Sequence, residues 1–372
     1  MVYGRLGASF AITGLVSGLL CATSANAVGI EHSGLTSLNG NMVVSGHMTT
    51  PKGPVAGAQV VLYAWPANKV LSELRPGQRI PARVVGSSIT TASGSYAIRI
   101  TSPSALSSAM APDGIVNLEV DAMSGNTFGS YNFPRRVVET SHGAVLTEIS
   151  GRTAQATAAE TADIRALPVR AQAPGACGWV KLRTFKPSWT IVGGTYSITK
   201  YSTESFRYSV HQSSSLGAGL SASGKPGSFS QNGTTGVSAS SSESYRPRGG
   251  NVSVLYETQF INAEWALSCG HGFISYQTKP VEFAGGARSV STRAPKAKYC
   301  VYQEAGSTFT KDSTSAYSFS AGFSIPVLNL TLSAQTGYDS GASVSYHFTR
   351  AGHLCGTNAY PGQTPKRLLA RG

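Results

Sequence analysis

The side chains able to do chemistry in this chain are scattered. Serine is plentiful, yet no G-x-S-x-G elbow occurs, the turn that exposes a nucleophilic Ser beside a base and an orienting acid. Acids are scarce: 17 Asp and Glu in all, the aspartates being Asp113, Asp121, Asp163, Asp312 and Asp339. None reads as a closely spaced pair, although a glycosidase pair need not be adjacent in sequence. The histidines are His32, His47, His142, His211, His271, His347 and His353. His347 and His353 lie near each other without a strong third ligand, so solvated or hydrogen-bonded imidazoles are expected rather than a metal site. Gly217 to Ala222 spells G-x-G-x-x-A, but in Ser-rich, strand-like surroundings, so no dinucleotide site is expected. The chain therefore reads as non-enzymatic, with no cofactor and no metal.

What remains is charge, aromatic rings and an address. The formal net charge is +13, with Lys and Arg dispersed and a small cluster at Lys366, Arg367 and Arg371. Such a chain is drawn to an anionic cell-surface or wall polymer, or to a membrane surface. No specific nucleic-acid motif accompanies the charge. Trp65, Trp179, Trp189 and Trp265 suit sugar stacking where exposed and core packing where buried. The first 27 residues read as a secretory signal: Arg5, an apolar run from Ala8 to Ala22, and a small-x-small cleavage site at Ala25-Asn26-Ala27. Cys21 sits where a lipoprotein signal places its cysteine, but Leu20 stands where that signal wants a small residue, so soluble export is the expectation. A secreted, extracellular chain makes disulfides permissible, and Cys177, Cys269, Cys300 and Cys355 are the candidates.

The elements that must position these residues are strands. Between residues 40 and 150, short β-rich runs alternate with Gly/Pro turns. In Ser95 to Ile100, Tyr96, Ile98 and Ile100 share one face, and Val116 to Ala122 is a further strand. VSGHMTTPKGPVAGAQVVLYAW followed by TASGSYAIRI resembles the carboxypeptidase regulatory-like family, through Val44, Gly46, Gly53, Pro54, Val55, Gly57, Ala58, Val60 and Leu62, then Thr91, Gly94 and Tyr96. The resemblance implies a prealbumin-like β-sandwich of the carbohydrate-binding-like group, a scaffold or adhesive module more than a defined sugar site. Pro54 follows Gly53 one residue sooner than the family pattern, and the stretch from Trp65 to Ser88 is longer than such modules need. Residues 151–176 read as a linker punctuated by Pro168 and Pro174.

From 177 to 356 the chain repeats itself. ITKYSTESFRYS (Ile198 to Ser209) and FTKDSTSAYSFS (Phe309 to Ser320) fit one pattern. Leu220-Ser221-Ala222 and Leu332-Ser333-Ala334 follow, and Cys269-Gly270 and Cys355-Gly356 close the copies. Strict alternation from Ser315 to Thr349 predicts three half-buried strands in an antiparallel meander. Two such meanders can bury their apolar faces against each other. One bridge per copy, Cys177–Cys269 and Cys300–Cys355, is the preferred pairing, worth ~4 kcal/mol each; bridges between the copies are the alternative. Residues 357–372 read as a basic tail.

The expected fold class is all-β, with an N-terminal β-sandwich followed by a larger antiparallel region built from two similar meanders. The expected function is secreted, non-catalytic binding or adhesion at a cell envelope or extracellular polymer, with a link to glycans. The alternative rests on the polar strand faces, which carry Ser, Thr, Asn, Gln and Gly in place of Lys and Glu. Alternation of small polar with apolar residues over ~9–11 positions suits a membrane-inserting hairpin. In texture Ser213–Ser244 and Ser315–Thr349 are similar to the stem hairpins of aerolysin-type pore-forming toxins, which implies membrane damage.

Overall fold

Side-chain alternation sets up the first sheet. The computed structural model describes residues 43–147, 159–161, 163–168, 177–209, 214–221, 230–237, 242–269, 272–311, 321–325, 330–335, 342–364 and 367–372, and is all-β with two short helices among them. In order come β1 (Val43–Thr50), β2 (Gly53–Pro54), β3 (Gln59–Trp65), α1 (Asn68–Glu73), β4 (Arg83–Ile89), β5 (Ser95–Arg99), α2 (Pro103–Ala109), β6 (Ile115–Ser124), β7 (Thr127–Thr140) and β8 (Gly143–Thr147). One antiparallel layer runs β4-β3-β6-β7-β8. The β1–β5 pair covers it. Val60, Leu62 and Ala64 of β3 and Val116, Leu118, Val120 and Ala122 of β6 meet Val44, Met48, Tyr96 and Ile98 in one buried core, as the period of two requires. Leu106 of α2 joins it. That helix starts at Pro103, with the Ala105 N–H donating to Ser102 Oγ at 3.3 Å. The turn before β5 needs Gly94: its φ is +77°, and a Cβ there would lie 2.6 Å from the Met48 carbonyl oxygen.

The stretch expected to be a linker behaves differently where it is described. β9 (Ala159–Thr161) and β10 (Ile164–Arg165) run parallel to β1, and β11 (Leu167–Pro168) pairs with β7. Ile164 and Ala166 are buried in the first core. An open edge on β1 and a pocket above Gly129 explain this: a Cβ on Gly129 would meet Ile164 Cγ2 at 2.4 Å, so the glycine makes room for the returning chain.

The second region comprises β12 (Gly178–Thr184), β13 (Ser188–Ser197), β14 (Ser202–Ser209), β15 (Ser214–Ser221), β16 (Ser230–Val237), β17 (Ser242–Ser244), β18 (Arg248–Gly249), β19 (Ser253–Ser268), β20 (Phe273–Ser291), β21 (Tyr299–Gln303), β22 (Thr308–Lys311), β23 (Ala321–Ile325), β24 (Leu330–Gln335), β25 (Ala342–Phe348), β26 (Gly352–Gly356) and β27 (Leu368–Arg371). Its spine is the β19–β20 hairpin of 16 and 19 residues. β12 and β13 pair with β19, and β15 pairs with β20. A second core gathers Tyr196, Phe206, Tyr208, Tyr256, Phe260, Val344, Tyr346 and Phe348.

Two expectations about this region need correction. β23 and β24 form a hairpin, but β25 leaves it and pairs with β14 and β22. The cause is burial: Val344, Tyr346 and Phe348 are large apolar groups, and the aromatic core beneath β14 is where they lose most contact with water. The repeated stretches thus flank one strand, β25, on its two sides. The letters sit differently, since Ile198 to Lys200 make a turn ahead of β14 whereas Phe309 to Lys311 are strand, and Lys366 with most of the second copy lies outside the described residues. The basic tail is also corrected. Leu368, Leu369 and Ala370 are buried, because β27 fills the gap between β26 (antiparallel) and β13 (parallel).

The described residues all belong to one compact unit. Within it a third core joins the first sheet to the second region. Trp65, Trp179 and Trp265 meet with ring centroids 6.0 and 5.7 Å from Trp65, beside Phe128 and Leu267. Asn117 donates through Nδ2 to the Gly236 carbonyl at 3.0 Å and accepts the Gly236 N–H through Oδ1 at 2.6 Å.

Candidate functional site

The cysteines are bridged as Cys177–Cys269 and Cys300–Cys355. The first ties the start of β12 to the end of β19; the second lies across the β21–β26 ladder. The histidines do not converge. His47 Nδ1 is 3.3 Å from Asp163, His347 Nδ1 is 2.9 Å from Thr308 Oγ1, and His32, His211 and His271 lie outside the described residues. Among the described residues no three His, Cys, Asp or Glu gather as a metal site. Gly217-Ala218-Gly219 is strand within β15, unsuited to cradling a pyrophosphate. Trp65, Trp179 and Trp265 are core, while Trp189 is half-buried with the Arg288 guanidinium 4.2 Å from its ring centroid. The Ser/Thr faces of Ser213–Ser244 and Ser315–Gln335 have side chains largely outside the described residues.

One acid pair does exist, and sequence reading missed it. Glu119 and Asp121 are two apart on β6 and so share the face opposite the first core. An isolated sandwich would turn that face to water; here the second region covers it. Lys279 Nζ lies 2.8 Å from Glu119 Oε2, with the two side chains 1% and 0% exposed. Gln277 Nε2 reaches both Glu119 oxygens at 3.4 and 3.3 Å, and Lys279 Nζ sits 3.2 Å from the Trp65 centroid. Burial raises the Asp121 carboxyl well above its ordinary range, the Glu119 charge adds to this, and Lys279 opposes it. Burial lowers Lys279 to about 8 against the opposing pull of Glu119. Glu119 and Lys279 touch no solvent, so this pair holds two sheets together rather than meeting a ligand.

The surface cluster that can meet a large ligand lies at one end of the second region. Registers build it. Ser197 of β13 is level with Ala370 of β27, so Arg371 comes beside Ile198, whose N–H donates to the Ala370 carbonyl at 2.9 Å. Arg371 faces His353 across β27–β26, and His353 faces Tyr302 across β26–β21. The Tyr302 and His353 rings are 5.8 Å apart, edge to face. Neighbouring strands are ~4.8 Å apart, so cation, imidazole and phenol stand in a row. Tyr302 is 59% exposed, and His353 and Arg371 are also exposed.

A turn extends this row. The Tyr201 carbonyl accepts the Thr349 N–H at 2.8 Å and the Thr349 hydroxyl at 3.0 Å. That brings Arg350 over the Tyr201 ring, 4.6 Å from its centroid, with Nη1 donating to the Tyr201 hydroxyl at 3.2 Å. Lys200 Nζ lies 5.3 Å from the same centroid. No family model, curated protein or solved structure matches this chain. The surface therefore has to be read on its own chemistry. Lys200, Arg350 and Arg371 neutralise anions, while Tyr302 and Tyr201 offer ring surface between them; one acid, Glu304, follows Tyr302 closely in sequence. The cluster thus sets cationic groups and aromatic ring faces side by side at the surface. The six residues come from separated segments; Lys200-Tyr201, His353 and Arg371 each drew notice in the sequence for other reasons, and Tyr302 and Arg350 did not.

Proposed function

We propose that this chain is a secreted, non-catalytic protein that attaches to an anionic polymer of a cell envelope or extracellular matrix. The observation that carries the reading is the exposed row Arg371–His353–Tyr302 with Arg350, Tyr201 and Lys200 beside it. The overall charge of +13 supports it by drawing polyanions in, and the two disulfides accord with export. The resemblance of Val44 to Tyr96 to a regulatory-like module supports a scaffold role for the first sandwich. The protein stripped of its leader is expected to be retained on dextran sulfate at roughly physiological salt, where screening already reaches ~8 Å, and to pass through a neutral dextran column. Equal passage through both columns contradicts the reading.

Membrane damage is the second reading, and one observation favours it. The β15–β16 hairpin and the β23–β24 hairpin meet through Ser215↔Gln335 and Leu216↔Ala334, joining the Ser-rich segments into one four-stranded ribbon. Dye leakage from anionic liposomes tests it; liposomes that stay sealed at all pH values remove it. Among the described residues no helix is long and apolar enough to cross a membrane.

A further inference from the structure

The turn that presents Lys200 and Tyr201 is held from beneath by a buried chain of oxygens. The Ser197 hydroxyl lies 2.8 Å from the Thr199 carbonyl oxygen and 2.9 Å from Ser202 Oγ, and Ser202 Oγ lies 2.5 Å from Glu204 Oε1. The Thr199 N–H donates back to Ser197 Oγ at 3.2 Å, and the Tyr201 N–H donates to Thr199 Oγ1 at 3.2 Å. Ser197, Ser202 and Glu204 are 1%, 2% and 0% exposed.

Proton counting decides what this chain requires. Each of the three oxygen–oxygen contacts needs one proton, and each serine hydroxyl carries one. Ser197 can donate to the Thr199 carbonyl only if Ser202 donates to Ser197. Ser202 then has nothing left for Glu204, so the third proton must come from the carboxyl. With Glu204 ionised, Ser202 turns to the carboxylate, Ser197 turns to Ser202, and the Thr199 carbonyl loses its tie. We infer that protonation of Glu204 locks the Ile198–Tyr201 turn and thereby tightens polyanion binding at the row it serves. This rests on the binding reading above.

The surroundings suit such a role. Glu204 faces Tyr346 across β14–β25 and Arg248 across β14–β18. Arg248 is exposed, with Nη2 donating to Ser289 Oγ at 2.6 Å. From β19, Tyr256 comes close, its hydroxyl 2.8 Å from Thr195 Oγ1 and its phenol pushed up by burial. Burial raises the Glu204 carboxyl to about 7, against the opposing effect of the Ser202 contact. A raised acid contributes stability that is full below its ordinary carboxylate range and is lost as pH rises through the raised value. The lock is therefore closed in mild acid and opens through neutrality.

The test compares the protein with Glu204→Gln, whose amide supplies a donor at every pH. Dextran sulfate is the probe, because its charge does not change over the range. Between pH 8.5 and pH 5.5 the parent is expected to gain at least about fivefold more affinity than the variant gains, the lower end of ordinary coupling. Every group other than residue 204 is common to the two proteins, so the difference between their pH profiles reports on that position. Amide-exchange protection at Thr199 and Tyr201, corrected for intrinsic rates, is expected to rise on acidification in the parent and to stay constant in the variant. Should Glu204→Gln fold poorly, Ser202→Ala removes the hydroxyl that links the carboxyl to Ser197, and protection is expected to be the same at both pH values. Identical pH profiles of protection in parent and variant overturn the inference, even where polymer is still retained. Protection that follows pH without retention on the polymer at any pH overturns the binding reading and leaves the locked turn standing.

Discussion

Replacing Lys279 with Met is expected to destabilise the folded chain by about 3–5 kcal/mol, the usual cost of stranding one partner of a buried ion pair. The pair is the one between Lys279 Nζ and Glu119 Oε2, 2.8 Å apart and 1% and 0% exposed. With the ammonium gone, Glu119 keeps the Gln277 amide at 3.4 and 3.3 Å and the Asp121 carboxyl, too little to hold a carboxylate out of water. The ring contact of Lys279 with Trp65 goes as well. The discriminating partner is the double variant Glu119→Gln with Lys279→Met. Removing both charges leaves nothing stranded, so most of the lost stability is expected to return. Urea midpoints read this directly. A single variant within about 1 kcal/mol of the parent, or a double variant no better than the single, shows that the seam between the sheets does not depend on this pair.

Removing the Cys177–Cys269 bridge is expected to cost about 4 kcal/mol, because it frees a long loop in the unfolded chain. Its cysteines are 92 residues apart, against 55 for Cys300–Cys355. Loop entropy makes the longer bridge the more valuable by roughly half a kcal/mol. Position adds to the difference: Cys177 and Cys269 border the tryptophan core where β12 and β19 join the first sheet. Double Cys→Ala variants, compared by thermal unfolding at equal protein concentration, check the order. Equal unfolding temperatures for the Cys177/Cys269 variant and the parent contradict it.

The strands were legible because alternation is local. Tyr96, Ile98 and Ile100 point inward with Arg99 exposed, and Val344, Tyr346 and Phe348 point inward with His347 exposed. Alternation assigns two faces and says nothing of what covers each. Glu119 and Asp121 therefore read as ordinary solvent-facing acids, and only the second region, laid over β6, turns them into a buried pair. Partner choice is equally non-local. Nothing in Ala342–Phe348 distinguishes a third meander strand from one inserted between β14 and β22; the aromatic layer under β14 decides it. The end of the chain shows the same limit. Lys366, Arg367 and Arg371 suggest a solvated tail, yet Leu368 to Ala370 between them complete a sheet, and that insertion carries Arg371 to His353. The row of Tyr302, His353 and Arg371 is a product of registers across three strands, so no window of sequence contains it.

The most direct measurement is affinity for dextran sulfate of two variants that lose the same charge. Arg350→Ala with Arg371→Ala removes two cations from the row. Arg83→Ala with Arg246→Ala removes two exposed cations that lie outside it. The first pair is expected to weaken binding about tenfold or more while the second changes it no more than about twofold, with the gap narrowing as salt rises. Equal losses in the two variants would mean that the polymer responds to net charge alone, and that the row is not a site.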